Sequence, residues 1–197
     1  MRLLLVSDEE SAYLWDYYKP GMLDGIDLIL SCGDLKSEYL SFLVTMGRAP
    51  LLYVPGNHDG AYAQRPPEGC DCIDGRLVTV KGLRIMGLGG SLLYNHGPNQ
   101  YTERQMERRI LRMKLGLARS RGVDIVLTHA PARGCGDAED MAHRGFEAFK
   151  PLMDKYEPKY LIHGHVHMSY SAGQTRVRQY GNTTLINACG KYILEIP

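Results

Sequence analysis

The sequence predicts an α/β fold in which two β-sheets pack together and helices cover their outer faces. Short apolar runs end repeatedly in polar, glycine-rich loops, and helical hydrophobic patterns separate several of these runs. Paired strand-like segments fill much of the remaining chain. The chain has 197 residues, of which 44% are hydrophobic and 23% charged, and we expect residues 1–197 to form one domain.

Two kinds of strand are predicted. Near-continuous runs of Leu, Ile and Val suit buried strands covered on both faces, and they span residues 3–6, 27–30, 51–54, 124–127 and 159–162. Five further strand-rich segments, with hairpin-like pairs among them, lie at residues 76–80, 84–88, 175–180, 183–187 and 192–196. The combination predicts βαβ units joined to antiparallel strands.

Three helices are predicted between the strands, at residues 37–47, 102–119 and 146–156. The second has apolar residues three or four positions apart, at Met106, Ile110, Met113 and Leu117. Thr102 and Gln105 have the spacing of a capping box at its start. Pro158 ends the third helix, because the residue before a proline disfavours helical geometry.

Composition excludes several classes of protein. The formal net charge is +1, so the chain as a whole is not an obvious binder of polyanions. Its apolar runs are too short to span a bilayer, and we expect no membrane association. The five cysteines are odd in number in a chain long enough not to need disulfides, which favours free thiols in the cytoplasm.

Each of the buried runs is followed by side chains that can bind metal ions. These are Asp8, Asp34, Asn57, His58, His129, His165 and His167. Each alone has an ordinary role as a helix cap, turn residue or packed histidine. Because ligands gather at the carboxyl ends of strands in α/β sheets, we expect them to share one cleft. Carboxylates and imidazoles together suit Mn, Fe or Zn, and two divalent ions would offset the repulsion among the acidic groups.

Five sequence blocks resemble the calcineurin-like metallophosphoesterase family, whose pattern is D-x-H, G-D, G-N-H-[DE], H and G-H-x-H. The blocks are Asp8, Gly33-Asp34, Gly56-Asn57-His58-Asp59, His129 and Gly164-His165-Val166-His167. Residues 87–106 also resemble small prokaryotic members. The resemblance implies a four-layer αββα sandwich of two mixed sheets, the metallo-dependent phosphatase-like fold, with a dinuclear metal centre. It implies one ion on Asp8, His167 and residue 10, another on Asn57, His129 and His165, and Asp34 bridging both.

The resemblance also implies hydrolysis of a phosphomonoester or phosphodiester by a metal-bridging hydroxide. His58 is expected to protonate the leaving group and Asn57 to stabilise the transition state, while Asp59 supports the site from outside the ligand set. We expect two divalent ions, with Mn favoured over Fe or Zn. The run after Gly33-Asp34 lacks the Asp and Arg of protein phosphatases. A small phosphate ester or nucleotide is therefore the favoured substrate.

Two alternatives remain at this stage, and so does one question about the ligands. The arginine-rich second helix allows a nuclease, although nucleic acid is not favoured, and the same fold could serve as a non-catalytic scaffold. Position 10, histidine in the family pattern, is Glu10 here. Glu10 either binds the first ion or points away and leaves that ion weakly held. We expect Glu10 to bind it and Glu9 to face solvent. Whether the chain has an oligomeric partner stays open.

Overall fold

A computed structural model describes residues 1–168 and 175–197. The helices are α1 (Ser37–Gly47), α2 (Glu103–Arg119) and α3 (Phe149–Tyr156), with a 3-10 helix at Asp59–Ala63. The strands are β1 (Arg2–Ser7), β2 (Leu28–Ser31), β3 (Leu51–Tyr53), β4 (Asp71–Cys72), β5 (Leu77–Val80), β6 (Leu83–Leu88), β7 (Ser91–Leu92), β8 (Gln100–Tyr101), β9 (Ile125–Thr128), β10 (Tyr160–His163), β11 (Val177–Tyr180), β12 (Thr183–Asn187) and β13 (Gly190–Glu195). Within the described ranges, no helix combines the length and apolar content that crossing a bilayer requires.

The strands form two large mixed sheets. The first has the order β13-β1-β2-β3-β4, with only β13 antiparallel to its neighbour. The second has the order β11-β12-β10-β9-β6-β5, with parallel inner strands and an antiparallel strand at each edge. Strands β7 and β8 pair separately. The strands that the sequence predicts to be buried are β1, β2 and β3 of the first sheet and β9 and β10 of the second. Strands β6 and β12, predicted among the hairpin-like segments, also pair parallel with β9 and β10.

Three buried clusters separate four layers of structure. Leu5 of β1 and Ile125 of β9 belong to the cluster between the two sheets. Leu4, the neighbour of Leu5, lies in the cluster that includes the buried face of α1. Val126, the neighbour of Ile125, lies in the cluster that includes the buried faces of α2 and α3. Since successive strand residues point to opposite faces, both sheets are covered on both sides, and the expected αββα sandwich is confirmed.

The helix boundaries follow local chemistry. The predicted capping box is present, because the Thr102 side chain accepts the Gln105 N–H and the Gln105 side chain accepts the Thr102 N–H. Helix α3 begins three residues later than predicted. The cause is Phe146, whose backbone N–H donates to Pro131 O at 3.0 Å and whose carbonyl accepts from Arg133 N at 3.1 Å. That pairing holds residue 146 in an extended bridge and delays the helix.

Candidate metal centre

The ends of β2, β3, β9 and β10 bring four polar side chains to one point. His129 Nε2 lies 2.9 Å from Asn57 Oδ1, 3.0 Å from His165 Nδ1 and 3.3 Å from Asp34 Oδ2. We call Asp34, Asn57, His129 and His165 the Asp34 cluster. Its members are separated widely in sequence, and the parallel strand order unites them.

Backbone carbonyls fix the tautomers of both histidines in the Asp34 cluster. His129 Nδ1 lies 2.8 Å from Cys32 O, and His165 Nε2 lies 2.6 Å from Ala142 O. A carbonyl oxygen can only accept, so these ring nitrogens carry hydrogen and donate it. The opposite nitrogens therefore face the cluster, which is the arrangement that metal-ligating histidines adopt.

The spacing and chemistry of the Asp34 cluster fit a divalent cation. Two ligand atoms at right angles and each about 2.1 Å from an ion lie about 3.0 Å apart, close to the separations found around His129 Nε2. One carboxylate, one amide oxygen and two imidazoles form a donor set suited to Mn, Fe or Zn. Asp34, His129 and His165 alone already bring their ligand atoms within 4.8 Å of one another.

The charges in and around the Asp34 cluster favour the binding of a cation. Burial favours the neutral form of Asp34, but the charge and hydrogen bond of His129 outweigh it and lower the pKa of Asp34 to about 2. Burial also opposes a charged His129, yet Asp34 and Asp8 raise the pKa of His129 to about 9. Burial and the charge of His129 lower the pKa of His165 to about 3. The negative charges of Asp34 and Asp8 thus favour positive charge at His129, which is where a divalent cation would bind.

The loops that present these ligands have unusual backbone geometry. Asp8, Asp34 and His165 have φ angles of 63°, 56° and 67°, in the left-handed region. Such conformations cost roughly 1–3 kcal/mol each for residues other than glycine and concentrate at functional sites. Gly56 and Gly164 allow the close approach of the loops. A Cβ on Gly56 would overlap Asp34 Oδ1, and one on Gly164 would overlap Asp8 Oδ2.

A second group of candidate ligands lies beyond the ends of β1, β10 and β12. His167 Nδ1 lies 2.9 Å from Glu9 Oε1, and the ligand atoms of Glu9, His167 and Cys189 all lie within 4.8 Å of one another. We call these three residues the His167 cluster. Asp8 accepts the His165 N–H at 2.9 and 3.0 Å. Burial raises the pKa of Asp8, although the charges of His129 and His167 oppose the rise.

The Glu10 carboxylate, which was expected to bind the first ion, instead contacts the backbone at the start of α1. Its Oε1 accepts the Lys36 N–H at 3.0 Å, at the start of α1. In the part of the chain that the structure describes, Glu10 belongs to neither cluster. Glu9, which was expected to face solvent, is 53% exposed but holds His167 through its carboxylate. The sequence indicated acidic groups at this point, but it did not indicate which of the two contacts the histidine.

The side chain of His58 is exposed beside the Asp34 cluster. It lines an open cavity of about 360 Å³ together with Asp34, Glu10 and Arg65. The His58 backbone N–H donates to Asp34 Oδ1 at 2.8 Å, so the loop is fixed while the imidazole faces the cavity. Asp59 lies behind the cluster, where its Oδ2 accepts the N–H groups of Asp34 and Gly56 at 2.7 Å each. Burial raises the pKa of Asp59 to about 6.

The sequence did not connect the loop after β7 with Asn57. Asn57 Nδ2 donates to the Tyr94 hydroxyl at 3.2 Å, and Asn99 Nδ2 donates to Gly56 O at 2.8 Å. The first contact turns the Asn57 oxygen toward His129. Tyr94 lies 37 residues away in an irregular segment, and no local pattern signals this pairing. The same is true of Cys189, one of the five free cysteines, which precedes β13.

Comparison with known proteins adds the family. The calcineurin-like phosphoesterase family (Metallophos) matches residues 7–169. No curated protein sequence matches the chain. One crystal structure, 17% identical, covers 98% of this chain and 94% of its own with a TM-score of 0.70. The protein TT1561 of Thermus thermophilus, also 17% identical, covers 96% and 89% with a TM-score of 0.66. These two structures share the fold, and the family match extends over most of the sequence. The chain belongs to the calcineurin-like phosphoesterase family.

Proposed function

We propose that this protein hydrolyses a phosphomonoester or phosphodiester of a small molecule or nucleotide, and that it requires two divalent ions, preferably Mn²⁺. The family is metal-dependent, which supports the general reaction. The observation that favours the proposal most is the convergence of three donor atoms within 3.3 Å of His129 Nε2, beside an open cavity. We place the enzyme in the cytoplasm, where its five free cysteines would stay reduced.

The residues of the site divide the chemical tasks. Divalent ions at the two clusters would supply Lewis acidity toward the phosphoryl group and lower the pKa of water. His58 faces the cavity, where it can donate a proton to the leaving-group oxygen. Asn57 presents its oxygen to the cluster because Tyr94 accepts from its nitrogen. Asp59 keeps the loops of Asp34 and Gly56 together through two backbone hydrogen bonds.

A nuclease is the second candidate, and the exposed arginines of α2 are the observation that favours it. Arg108 and Arg112 line an open groove of about 460 Å³ with Tyr101, Gln105 and Arg109. Arg109, however, is already committed to structure, since it pairs with Asp74 and donates to Gly89 O at 2.8 Å. With a net charge of +1, the whole molecule offers little attraction to a polyanion. We therefore favour a small substrate.

The experiment measures metal content and hydrolysis together. Purified protein is analysed for bound metals and then assayed with Mn²⁺ on p-nitrophenyl phosphate, its bis ester, nucleotides, cyclic nucleotides and single- and double-stranded DNA. We expect bound metal and Mn²⁺-dependent turnover of a small ester. Preferential cleavage of DNA would favour the nuclease. Absence of both metal and turnover would favour a binding scaffold of the same fold.

A further inference from the structure

The two glutamates after Asp8 point to different neighbours. Glu9 Oε1 lies 2.9 Å from His167 Nδ1, whereas Glu10 Oε1 accepts the Lys36 N–H at 3.0 Å. Glu10 also lines the open cavity beside His58. Of the two carboxylates, only Glu9 shares a set of potential ligand atoms with His167 among the residues that the structure describes.

Cys189 completes a compact donor set with these two residues. It is only 3% exposed, and its ligand atom lies within 4.8 Å of those of Glu9 and His167. Asn187 fixes its position, because Asn187 Oδ1 accepts the Cys189 N–H at 2.9 Å and Asn187 Nδ2 donates to Val166 O at 2.7 Å. The cysteine is thereby tied to the loop that carries His165 and His167.

The Asp8 carboxylate interacts electrostatically with residues of both clusters. The charges of His129, Asp34 and His167 all act on its carboxylate, and its own charge acts on Cys189. A divalent ion beside these carboxylates would stabilise a Cys189 thiolate, because thiols that coordinate metals are deprotonated.

A surface ion pair alone does not account for this arrangement. The side chains of Glu9 and His167 are 53% and 29% exposed, and an exposed pair of that kind contributes about 0–1 kcal/mol. It would give no reason for a buried thiol at the same point. The 2.9 Å between Glu9 Oε1 and His167 Nδ1 matches the spacing of ligand atoms in the Asp34 cluster.

We propose that the first metal position is formed by Glu9, His167 and Cys189 beside Asp8, and that Glu10 is not a ligand. The donor set of carboxylate, imidazole and thiolate would take a borderline divalent ion such as Co²⁺, Zn²⁺ or Fe²⁺, so the preference for Mn²⁺ then applies to the Asp34 cluster, which has no thiolate. This assignment rests on the proposed metal dependence of the site. It does not require any particular phosphate ester as substrate.

The test uses Co²⁺ binding to the intact protein, followed by equilibrium dialysis with metal analysis and by absorption spectroscopy. We expect the wild type to bind two equivalents and to show a thiolate-to-cobalt charge-transfer band in the near ultraviolet. Glu9→Gln should still bind one equivalent at the Asp34 cluster. It should bind the equivalent at the His167 cluster at least about tenfold more weakly. Glu10→Gln is the matched control and should bind both equivalents as the wild type does. Cys189→Ser should lose the charge-transfer band.

The outcomes separate clearly. The proposal is overturned if Glu10→Gln weakens Co²⁺ binding at the His167 cluster while Glu9→Gln does not. It is also overturned if the two variants bind Co²⁺ alike. Absence of a charge-transfer band from the wild type would overturn the role of Cys189. If each variant still binds one equivalent of Co²⁺ at the Asp34 cluster, its fold and that cluster are intact. A protein that binds two ions as described but hydrolyses no phosphate ester would refute the proposed function and leave this assignment standing.

Discussion

At the scale of single residues, His58 combines a fixed backbone with an exposed imidazole that lines the cavity. Its N–H is held by Asp34 Oδ1 at 2.8 Å while its side chain faces the cavity. We expect His58→Ala to retain metal and to lower kcat for alkyl phosphates by about 10²–10⁴ through loss of proton donation. Steady-state kinetics with metal analysis provide the measurement. The p-nitrophenyl ester is the internal control, because its leaving group needs less protonation and should lose less. Equal losses on both substrates would contradict the proton-donor role.

The sequence predicted most of the candidate ligands at this scale but not the directions of their side chains. Asp8, Asp34, His129 and His165 each follow an apolar strand, so their loops could be located from the hydrophobic pattern. The choice between Glu9 and Glu10 could not be made in the same way. It depends on the path of the chain after Asp8, whose left-handed φ of 63° no hydrophobic pattern indicates.

At the scale of the elements, the junction between β10 and its ligand loop depends on a glycine. A Cβ at Gly164 would overlap Ser7 Oγ and Asp8 Oδ2, so both loops would have to shift. We expect Gly164→Ala to lower the free energy of unfolding by about 1–3 kcal/mol, measured by urea denaturation. Gly116→Ala is the control. Gly116 lies within α2, and its added Cβ would meet Leu77 of β5 at 3.7 Å, an ordinary contact, so this change should stabilise by about 0.5–1 kcal/mol. Equal destabilisation by both changes would refute this explanation.

The end of α2 is attached to the second sheet by Arg84. This arginine donates to both oxygens of Asp124 and, at 3.0 Å, to Ser120 O at the C-cap of the helix. The hydrogen bonds of Arg84 lower the pKa of Asp124 below its ordinary value of 3.8. At pH 7 we expect Asp124→Asn to lower the free energy of unfolding by about 1–3 kcal/mol, because it removes a charge-assisted hydrogen bond.

The pH dependence of that difference has a definite sign. A carboxyl with a lowered pKa in the folded state stabilises the protein above its ordinary pKa and ceases to do so as the pH falls through the folded value. The difference between wild type and Asp124→Asn should therefore be constant above about pH 5 and shrink below about pH 4. Urea denaturation at several pH values measures it, with the exposed Asp16→Asn as control. A difference that does not shrink as the pH falls below the ordinary pKa of 3.8 would contradict this explanation.

The sequence located the long elements better than the short ones. Strands β4, β7 and β8 contain two residues each, too few for any periodicity to be visible. Helix α2 was easier to predict, since its apolar stripe and its capping box both lie within the local sequence. The delayed start of α3 could not be predicted, because it results from a bridge between Ala132 and Phe146.

At the scale of the whole molecule, stability should be coupled to metal binding. The Asp34 cluster joins β2 and β3 of the first sheet to β9 and β10 of the second, so an ion there connects the two sheets. Mn²⁺ at about 100 times its Kd would stabilise the fold by about 2.7 kcal/mol. For a chain of 197 residues the melting temperature should then rise by roughly 5–10 °C, as scanning calorimetry would show. An equal shift with Ca²⁺, or none with Mn²⁺, Fe²⁺ or Zn²⁺, would contradict this coupling.

The order of the strands could not be obtained from hydrophobic patterns. Both sheets are centred on parallel strands whose neighbours come from distant parts of the chain, and local periodicity does not encode such pairing. The family resemblance supplied the four-layer arrangement, and the three buried clusters confirm it. The existence of a metal site could be predicted because the polar residues follow strands whose ends meet at one edge of the sheets. The exact ligands could not, because they depend on the directions of individual side chains.

The most direct test of the central claim is a crystal structure of the protein with Mn²⁺ and an anomalous difference map. We expect an anomalous peak about 2.0–2.3 Å from His129 Nε2 and His165 Nδ1, with Asn57 Oδ1 and an Asp34 oxygen completing its ligands. Absence of a peak there at saturating Mn²⁺, with His129 Nε2 still hydrogen-bonded to Asn57, would contradict it.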